Sequence, residues 1–255
     1  MIALIKQWVS GTPLEGLARV VYHAVRPTPI DLGRLYDEQT VAVMERVLES
    51  DSNCIDVGCH EGSILDVMLR LAPAGQHHAF EPLPHLYAAL LHKYGGMSNV
   101  HIYEAALSDA PGTATFQHVT TNPAYSGLLK RRYDRPHEDV VEINVNLLKL
   151  DDVLPPDLDV RLVKIDVEGA ELQVLRGAMA TLRRCQPYVV FEHGLGGADC
   201  YGTRPEQVFD LFTECSLRIS IMKEWLNSGS AKPLSRKGFA AQFDRGRNYY
   251  FMAHP

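Results

Sequence analysis

The sequence lacks any apolar run long enough to cross a membrane, and it has no excess of positive charge. None of its apolar stretches approaches the roughly 18 residues that a transmembrane helix needs. The first apolar run meets Lys6 too soon for a signal-peptide core. Lys and Arg total 25 against 31 Asp and Glu, for a net charge of −6. Because proteins that bind phosphate backbones usually carry a basic excess, this balance disfavours a nucleic-acid partner.

Cysteine is scarce and is not arranged in pairs. The five cysteines are odd in number, none stands at C-x-x-C spacing, and most fall in apolar stretches. A disulfide framework or a structural zinc site is therefore not expected. Free thiols are typical of a reducing compartment, so we expect a cytoplasmic protein.

Internal repeats and low-complexity segments are also absent. Hydrophobic residues make up 46% and charged residues 22% of 255, which is ordinary globular composition with enough chain for one large core. Residues 1–50 predict a helical extension packed on the core, because apolar side chains recur at helical spacing in 14–24 and 41–48. A contact with a membrane surface or with a second copy of the chain is the alternative for the first helix.

From residue 53 onward, short apolar runs alternate with helical segments. Helices are predicted at 63–71, where Ser63 can cap, at 84–94, from 172, and at 205–215. The predicted strands are 54–57, 78–80, 100–103, 161–165, 188–191, 217–222 and 249–252. Strands alternating with helices predict an α/β domain over residues 51–255, with a parallel sheet between two layers of helices.

Apolar and polar side chains alternate in residues 113–119 and 140–148, which predicts an added β-hairpin. The polar segment 120–138 joins its two strands. A loop of that length in a compact domain is typical of a lid or a substrate-binding element. Asn122 to Tyr125 is similar to the N-P-P-Y signature of amino-methylating nucleic-acid enzymes, but it precedes the strand that it should follow and lacks the second Pro, so we interpret it as a turn. The basic residues 130–132 and Arg135 are either a solvated face or a site for an anionic acceptor.

Acidic side chains follow four of the predicted strands. Ligands of parallel α/β sheets bind beyond the carboxyl ends of the strands, where the strand order reverses. The groups at those ends are Asp56, Glu81, Asp166 with Glu168, and Glu192 with His193. Buried carboxylates are costly unless they are paired, so packing alone does not explain four of them at one edge.

The segment Asp56 to Gly62 is a strand–turn–helix element with the spacing D-x-G-x-x-x-G. Gly58 and Gly62 allow a tight turn and a close approach of a ligand to the backbone. Glu81, at the end of the next strand, can accept hydrogen bonds from both ribose hydroxyls of an adenosine ligand. The dinucleotide fingerprint G-x-G-x-x-G is not met, which disfavours a nicotinamide oxidoreductase and favours S-adenosylmethionine (SAM), a ligand that needs no phosphate cradle.

The second half contains a block that carries a family resemblance. Residues 164–177 read K-I-D-V-E-G-A-E-L-Q-V-L-R-G, which resembles the K-I-D-V-E-G-x-E-x-x-V-L-x-G block of the FkbM-type methyltransferase family. Four further blocks of that family have similar counterparts here at 56–62, 80–82, 106–109 and 187–192, and residues 248–251 are similar to its final strand. The resemblance covers roughly residues 50–255. Cys59 stands where the family usually has Ala, and His60 where it usually has Asn.

This resemblance implies a class I, Rossmann-like methyltransferase fold, a three-layer sandwich around a mostly parallel seven-stranded sheet, with N-terminal helices and an inserted hairpin and lid. It also implies SAM-dependent methylation of a hydroxyl group on a sugar, a glycan or a natural product. A methyltransferase for protein or nucleic acid and a non-catalytic SAM-binding module are the alternatives. The residues expected to bind SAM are Asp56, Gly58, Cys59, His60, Gly62, Glu81, Pro82, Leu107, Ser108 and Asp166.

Methyl transfer to an alcohol is helped by a base or a metal, because the alcohol has a high pKa. His193 is the preferred base, since imidazole accepts a proton near neutral pH, and Asp166 and Glu192 are the other candidate catalytic residues. A histidine that only bonds a backbone group is the alternative for His193. Asp166, Glu168 and Glu192 together offer the carboxylates that Mg²⁺ prefers. A homo-oligomer is also compatible with the sequence.

Overall fold

The computed structural model describes residues 32–133, 137–228 and 232–255. The helix predicted in 14–24 lies outside these residues. The chain divides into two compact units at Glu38/Gln39, and the second contains the whole sheet. The described helices are α1 (Leu32–Val47), α2 (Ser63–Leu71), α3 (Pro84–Tyr94), α4 (Leu150–Val153), α5 (Glu171–Arg176), α6 (Met179–Cys185), α7 (Pro205–Glu214), α8 (Met222–Ser228) and α9 (Arg236–Asp244). The described strands are β1 (Asn53–Val57), β2 (His77–Phe80), β3 (Val100–Tyr103), β4 (Ala106–Leu107), β5 (Gly112–Val119), β6 (Val140–Leu148), β7 (Val160–Ile165), β8 (Tyr188–Glu192), β9 (Arg218–Ser220) and β10 (Tyr250–His254).

The main sheet has seven strands in the order β3-β2-β1-β7-β8-β10-β9. Strands β3, β2, β1, β7 and β8 are parallel, while β10 runs antiparallel to β8 and β9. The order reverses between β1 and β7, whose last residues Val57 and Ile165 are register partners. Val57 also pairs with Phe80, and Ile165 with Phe191. The predicted mostly parallel α/β sheet is confirmed, and its four acidic strand ends meet at one edge.

The central strands are apolar because helices cover both of their faces. Ile55, Val163 and Val189 are almost completely buried in the main core. On one side of β8, the ring of Phe191 packs against Phe212, with ring centroids 5.0 Å apart, and also near the rings of Phe239 and Phe251. Full burial of such a side chain contributes about 1.5–3 kcal/mol. The strands that carry the site therefore sit in the most tightly covered part of the fold.

A second, three-stranded sheet has the order β4-β6-β5. Strands β5 and β6 form the predicted antiparallel hairpin, in register from Gly112↔Leu147 to Val119↔Val140. The segment between them includes a single 3-10 turn at Pro123–Tyr125 and a bridge from Gln117 to Gly127. Asn122 to Tyr125 is therefore part of a turn, as interpreted from the sequence.

Three local expectations need correction. Helix α2 begins at Ser63, but Gly62 is its N-cap residue, and the cap has no side-chain hydrogen bond. The strand predicted at 217–222 is only Arg218–Ser220, because α8 begins at Met222. Helix α9 was not predicted, although Ser235 accepts a hydrogen bond from Gly238 N as an N-cap should, and Phe239 and Phe243 recur at helical spacing.

Among the described residues, no helix combines the length and the apolar character that crossing a membrane requires.

Candidate functional site at the carboxyl edge of the sheet

The loop after β1 follows a path that only glycine permits at two positions. Gly58 has φ +73°, and a Cβ there would lie 1.9 Å from the backbone oxygen of Asp166. Gly62 has φ +80°, and a Cβ there would lie 2.7 Å from the hydroxyl of Tyr94. Left-handed backbone at both positions is costly for any residue with a side chain. The loop consequently lies close against the end of β7 at Gly58 and against α3 at Gly62.

Glu81 holds this loop in place. Its Oε2 accepts a hydrogen bond from His60 N at 2.9 Å, and its Oε1 accepts one from Leu83 N at 2.9 Å. Burial raises the pKa of Glu81 to about 7, against the opposing effect of these two backbone donors. Each carboxylate oxygen has a second lone pair, so both can accept a further hydrogen bond from a ligand. The predicted ribose acceptor is thus also a brace between β2 and the loop.

Lys164, which the sequence analysis did not assign to the site, lies at its centre. Its ammonium donates to the backbone oxygen of Gly58 at 3.0 Å. The same Nζ lies 3.6 Å from Asp166 Oδ2 and 3.7 Å from Asp56 Oδ1. Burial alone would lower the pKa of Lys164, but the charges of Asp166 and Asp56 raise it above its usual value. The ammonium therefore stays charged and joins the loop after β1 to the end of β7.

Asp56 is fully buried beneath the loop. Neither of its carboxylate oxygens accepts a hydrogen bond from any residue that the structure describes, and Lys164 is its neighbouring cation. Burial raises the pKa of Asp56, and the charge of Lys164 opposes that rise. Its environment thus differs from that of Asp166, whose side chain is 28% exposed.

The predicted carboxylates of β7 and β8 do come together. Asp166, Glu168 and Glu192 each offer an oxygen, and these atoms all lie within 4.8 Å of one another. The hydroxyl of Tyr250, on the antiparallel strand β10, donates to Asp166 Oδ2. The guanidinium of Arg131 pairs with Glu168. We call Asp166, Glu168 and Glu192 the acidic cluster.

Two carboxyls of the acidic cluster have pKa values that are shifted in opposite directions. Burial, followed by the nearby charges of Asp166 and Glu171, raises the pKa of Glu192 well above its usual value. Burial also opposes ionisation of Asp166, but Lys164 and the Tyr250 hydroxyl lower its pKa below the usual value. Asp166 is therefore the stronger acid of the pair, a division typical of neighbouring carboxyls with different roles.

His193 faces the helix layer rather than solvent. It is completely buried, and its ring stacks against Phe243 and Phe239 with centroids 4.8 and 5.6 Å apart. Among the described residues, neither ring nitrogen has a hydrogen-bond partner. Burial lowers the pKa of His193 to about 4, so the imidazole is neutral at physiological pH.

The other expected SAM contacts, Cys59, Pro82, Leu107 and Ser108, are buried or half-buried. Cys59 is buried, and burial raises the pKa of its thiol, which makes it inert. Pro82 is half-buried between Glu81 and Leu83. Leu107 lies in the main core, and Ser108 packs beside α5, where a Cβ on Gly177 would lie 2.1 Å from the Ser108 oxygen.

The polar segment between β5 and β6 docks onto the loop that follows β8. Leu129 N donates to the hydroxyl of Tyr201 at 2.8 Å, and Arg132 N donates to Gly196 O at 3.0 Å. The Arg132 side chain also pairs with Asp199 at 2.6 Å. Arg131 pairs with Glu168, so two cations of the predicted basic cluster, Arg131 and Arg132, form ion pairs inside the protein. Arg135 lies outside the described residues. This segment covers the acidic cluster as a lid would.

Three residues that complete the site were missed, and the signals for them differ. A lysine inside the apolar run of β7 indicates a buried partner, so Lys164 was detectable. Arg131 stood in a recognised basic run, but its partner Glu168 is set by how the lid docks. Tyr250 had no signal, because its contact with Asp166 depends on the pairing of β10 with β8.

Comparison with known proteins finds two curated relatives that are named as methyltransferases. A curated relative is the 2-O-methyltransferase NoeI of Sinorhizobium fredii (strain NBRC 101917 / NGR234), 28% identical over 57% of this chain and 64% of that protein. Another is the methyltransferase sdnD of Sordaria araneosa, 29% identical over 51% of this chain and 61% of that protein. The chain thus matches somewhat under two thirds of the length of these relatives.

Solved structures with a similar chain path are more distant. The methyltransferase FkbM of Methylobacillus flagellatus KT is 12% identical, with a TM-score of 0.49 over 82% of this chain and 44% of that chain. Aeropyrum pernix fibrillarin, solved with natively bound SAM, is 12% identical, with a TM-score of 0.44 over 86% of this chain and 74% of that chain. The family model described as the methyltransferase FkbM domain matches residues 56–219, which is more than half of the chain. The chain therefore belongs to the FkbM methyltransferase domain family.

Proposed function

We propose that the protein is a SAM-dependent O-methyltransferase that acts on a hydroxyl of a sugar, a glycan or another small natural product. The observation that carries the proposal is that the glycine loop 58–62, the Glu81 carboxyl that accepts from it, and the ionised Asp166 lie together at one edge of the sheet. Membership of the methyltransferase family and the names of the two curated relatives support it. A cytoplasmic location stays a prediction.

The chain's own residues would bind SAM, orient the acceptor hydroxyl and exclude water. SAM, when bound, supplies a methyl group that is already activated as a sulfonium. The loop 58–62 and Glu81 would hold its two ends, with Pro82, Leu107 and Ser108 beside them. Asp166, ionised and partly exposed, would orient the acceptor hydroxyl toward the methyl donor, and Glu192, the weaker acid, would lie beside it. Since alignment and exclusion of water are the main needs of such a transfer, the docked lid serves the second.

Mg²⁺ does not fit the acidic cluster as it is arranged. The ion prefers ionised carboxylates with octahedral geometry. Glu168 is paired with Arg131, and Asp166 already accepts from Tyr250 and faces Lys164. The proposed reaction therefore uses proton transfer to a side chain rather than activation by a metal.

His193 is the proposed proton acceptor, since its ring nitrogens have no partner among the described residues. Burial lowers its pKa to about 4, so it is a weaker base than the sequence predicts. Because Phe243 covers it, the acceptor can reach the ring only if α9 moves. His193→Ala is expected to lower kcat about 100-fold or more, with little change in the Kd of SAM. His193→Gln, which keeps a polar side chain of similar length, serves as the comparison. Equal turnover in both variants and the wild type would remove His193 from the reaction and leave Asp166 as the proton acceptor.

Glu81 gives a prediction about binding rather than turnover. Glu81→Ala should weaken SAM binding by about 10- to 100-fold, because it removes acceptors for two ribose hydroxyls and releases His60 N. Wild-type affinity should rise with pH through about 7, since the ionised carboxylate is the better acceptor. Titration calorimetry measures both effects. Exposed Glu61→Ala, in the same loop, is the control, and unchanged affinity in Glu81→Ala would show the ribose assignment to be wrong.

The proposed activity is tested by transfer of labelled methyl from SAM to fractionated glycans and metabolites, with and without EDTA. We expect label in a hydroxyl-bearing small molecule at the same rate in both. Label in protein or nucleic acid instead would favour those acceptor classes. SAM binding with no transfer to any fraction would favour a non-catalytic binding module.

A further inference from the structure

A polar cleft opens between the start of α7 and the length of α9. It has a volume of about 600 Å³, in the range of sites that hold small molecules. Its walls come from the end of the loop after β8 and from the two helices. The residues that line it include Asp199, Arg204, Glu206, Arg236, Phe243 and Asp244. None of them belongs to the expected SAM site or to the acidic cluster.

The cleft is close to the proposed site through two connections. Phe243 lines the cleft and also stacks on His193, so one ring separates the cleft from the imidazole. Asp199 lines the cleft and pairs with Arg132 of the lid. The loop that carries Asp199 also packs on the acidic cluster, where a Cβ on Gly197 would lie 3.4 Å from the backbone of Glu168.

The charges of the cleft indicate which chemistry it suits. Arg236 donates two hydrogen bonds, of 2.7 and 2.8 Å, to Asp210 of α7. Asp199 forms an ion pair with Arg132. Among the described residues, Arg204, Glu206 and Asp244 have no ion-pair partner, which leaves one cation and two carboxylates. An anionic ligand would be repelled by the net negative charge of these three groups. An apolar ligand would remove water from three charged groups without replacing their hydrogen bonds, which costs free energy. Hydroxyl groups suit both kinds of charge, because they donate to carboxylates and accept from a guanidinium.

We propose that this cleft binds the part of the acceptor that does not react, and that this part is an uncharged polyhydroxylated ring, such as a glycoside. The inference rests on the proposed O-methyltransferase function and names the substrate class and its binding residues. Arg204 and Asp244 contact the ring hydroxyls, and Phe243 forms the apolar wall between the ring and His193. Displacement of Phe243 by the bound ring then opens the imidazole to the reacting hydroxyl.

The test uses a panel of methyl glycosides of hexoses, deoxyhexoses and N-acetylhexosamines as probes. Saturation-transfer NMR measures their binding to the full chain in the presence of S-adenosylhomocysteine. The test variant is Arg204→Ala/Asp244→Ala, and both residues are exposed, so folding should be kept. The control is Arg184→Ala/Asp157→Ala, which removes the same charges at exposed positions outside the cleft.

We expect probe binding in the wild type and the control, and a loss of about tenfold or more in affinity in the test variant. In transfer of labelled methyl to the same probes, the acceptor KM should rise by a similar factor, while kcat and the Kd of SAM stay within about twofold. Equal probe binding in the test variant and the wild type, or no binding in the wild type, would overturn the cleft assignment. Probe binding without methyl transfer would overturn the proposed function and leave the cleft assignment intact.

Discussion

Replacing Asp166 by Asn is expected to lower kcat about 10²- to 10⁴-fold while the Kd of SAM changes far less. Asp166 Oδ2 accepts from Tyr250, and the nearby Lys164 ammonium helps keep the carboxylate ionised. An amide of the same shape loses the negative charge that would orient the acceptor hydroxyl. It also leaves Glu192 without the neighbouring charge that helps raise its pKa. Turnover is measured by transfer of labelled methyl, and affinity by calorimetry.

The control for this prediction is Asp157→Asn, an exposed aspartate in the loop before β7. It carries the same chemical change away from the carboxyl edge of that strand and should leave turnover unchanged. Tyr250→Phe removes the hydroxyl that donates to Asp166, so an intermediate loss of kcat is expected there. If Asp166→Asn turned over like the wild type, Asp166 would have no part in the chemistry.

Lys164→Met is expected to lower the free energy of unfolding by about 3–5 kcal/mol, because removing one partner of a buried ion pair leaves an uncompensated charge. Here the ammonium serves two carboxylates and the backbone oxygen of Gly58. Urea unfolding followed by circular dichroism measures the loss. Lys223→Met, at an exposed position in α8, should change stability by no more than about 0.5 kcal/mol.

A double variant separates the charge effect from lost packing. If the uncompensated Asp56 carboxylate causes the loss, Lys164→Met/Asp56→Asn should be less destabilised than the sum of the two single variants. Additive losses, or a stable Lys164→Met protein, would show that this ammonium does not hold the edge together.

The strand ends could be predicted from the sequence because parallel strands place their carboxyl ends at one edge. Asp56, Glu81, Asp166 and Glu192 were each next to a buried apolar run, so local pattern was enough. The bounds of α2 and α3 were also predicted correctly, although Gly62 rather than Ser63 caps α2. Pro84 and Gly95 mark the two ends of α3.

What the sequence could not supply depends on contacts between distant segments. The bond from Tyr250 to Asp166 spans 84 residues and needs the antiparallel insertion of β10 beside β8. The pairing of Arg131 with Glu168 needs the docked lid. The burial of His193 needs α9, a short helix whose Ser235 cap and Phe239/Phe243 spacing were present but not recognised.

The central claim is that SAM binds over the carboxyl edge between the loop 58–62 and Glu81. A crystal structure with S-adenosylhomocysteine tests it most directly. The account predicts ribose hydroxyls on Glu81, the amino-acid tail along the backbone of Gly58 to Gly62, and the sulfur facing Asp166. An empty edge, or the ligand bound elsewhere on the protein, would contradict the account.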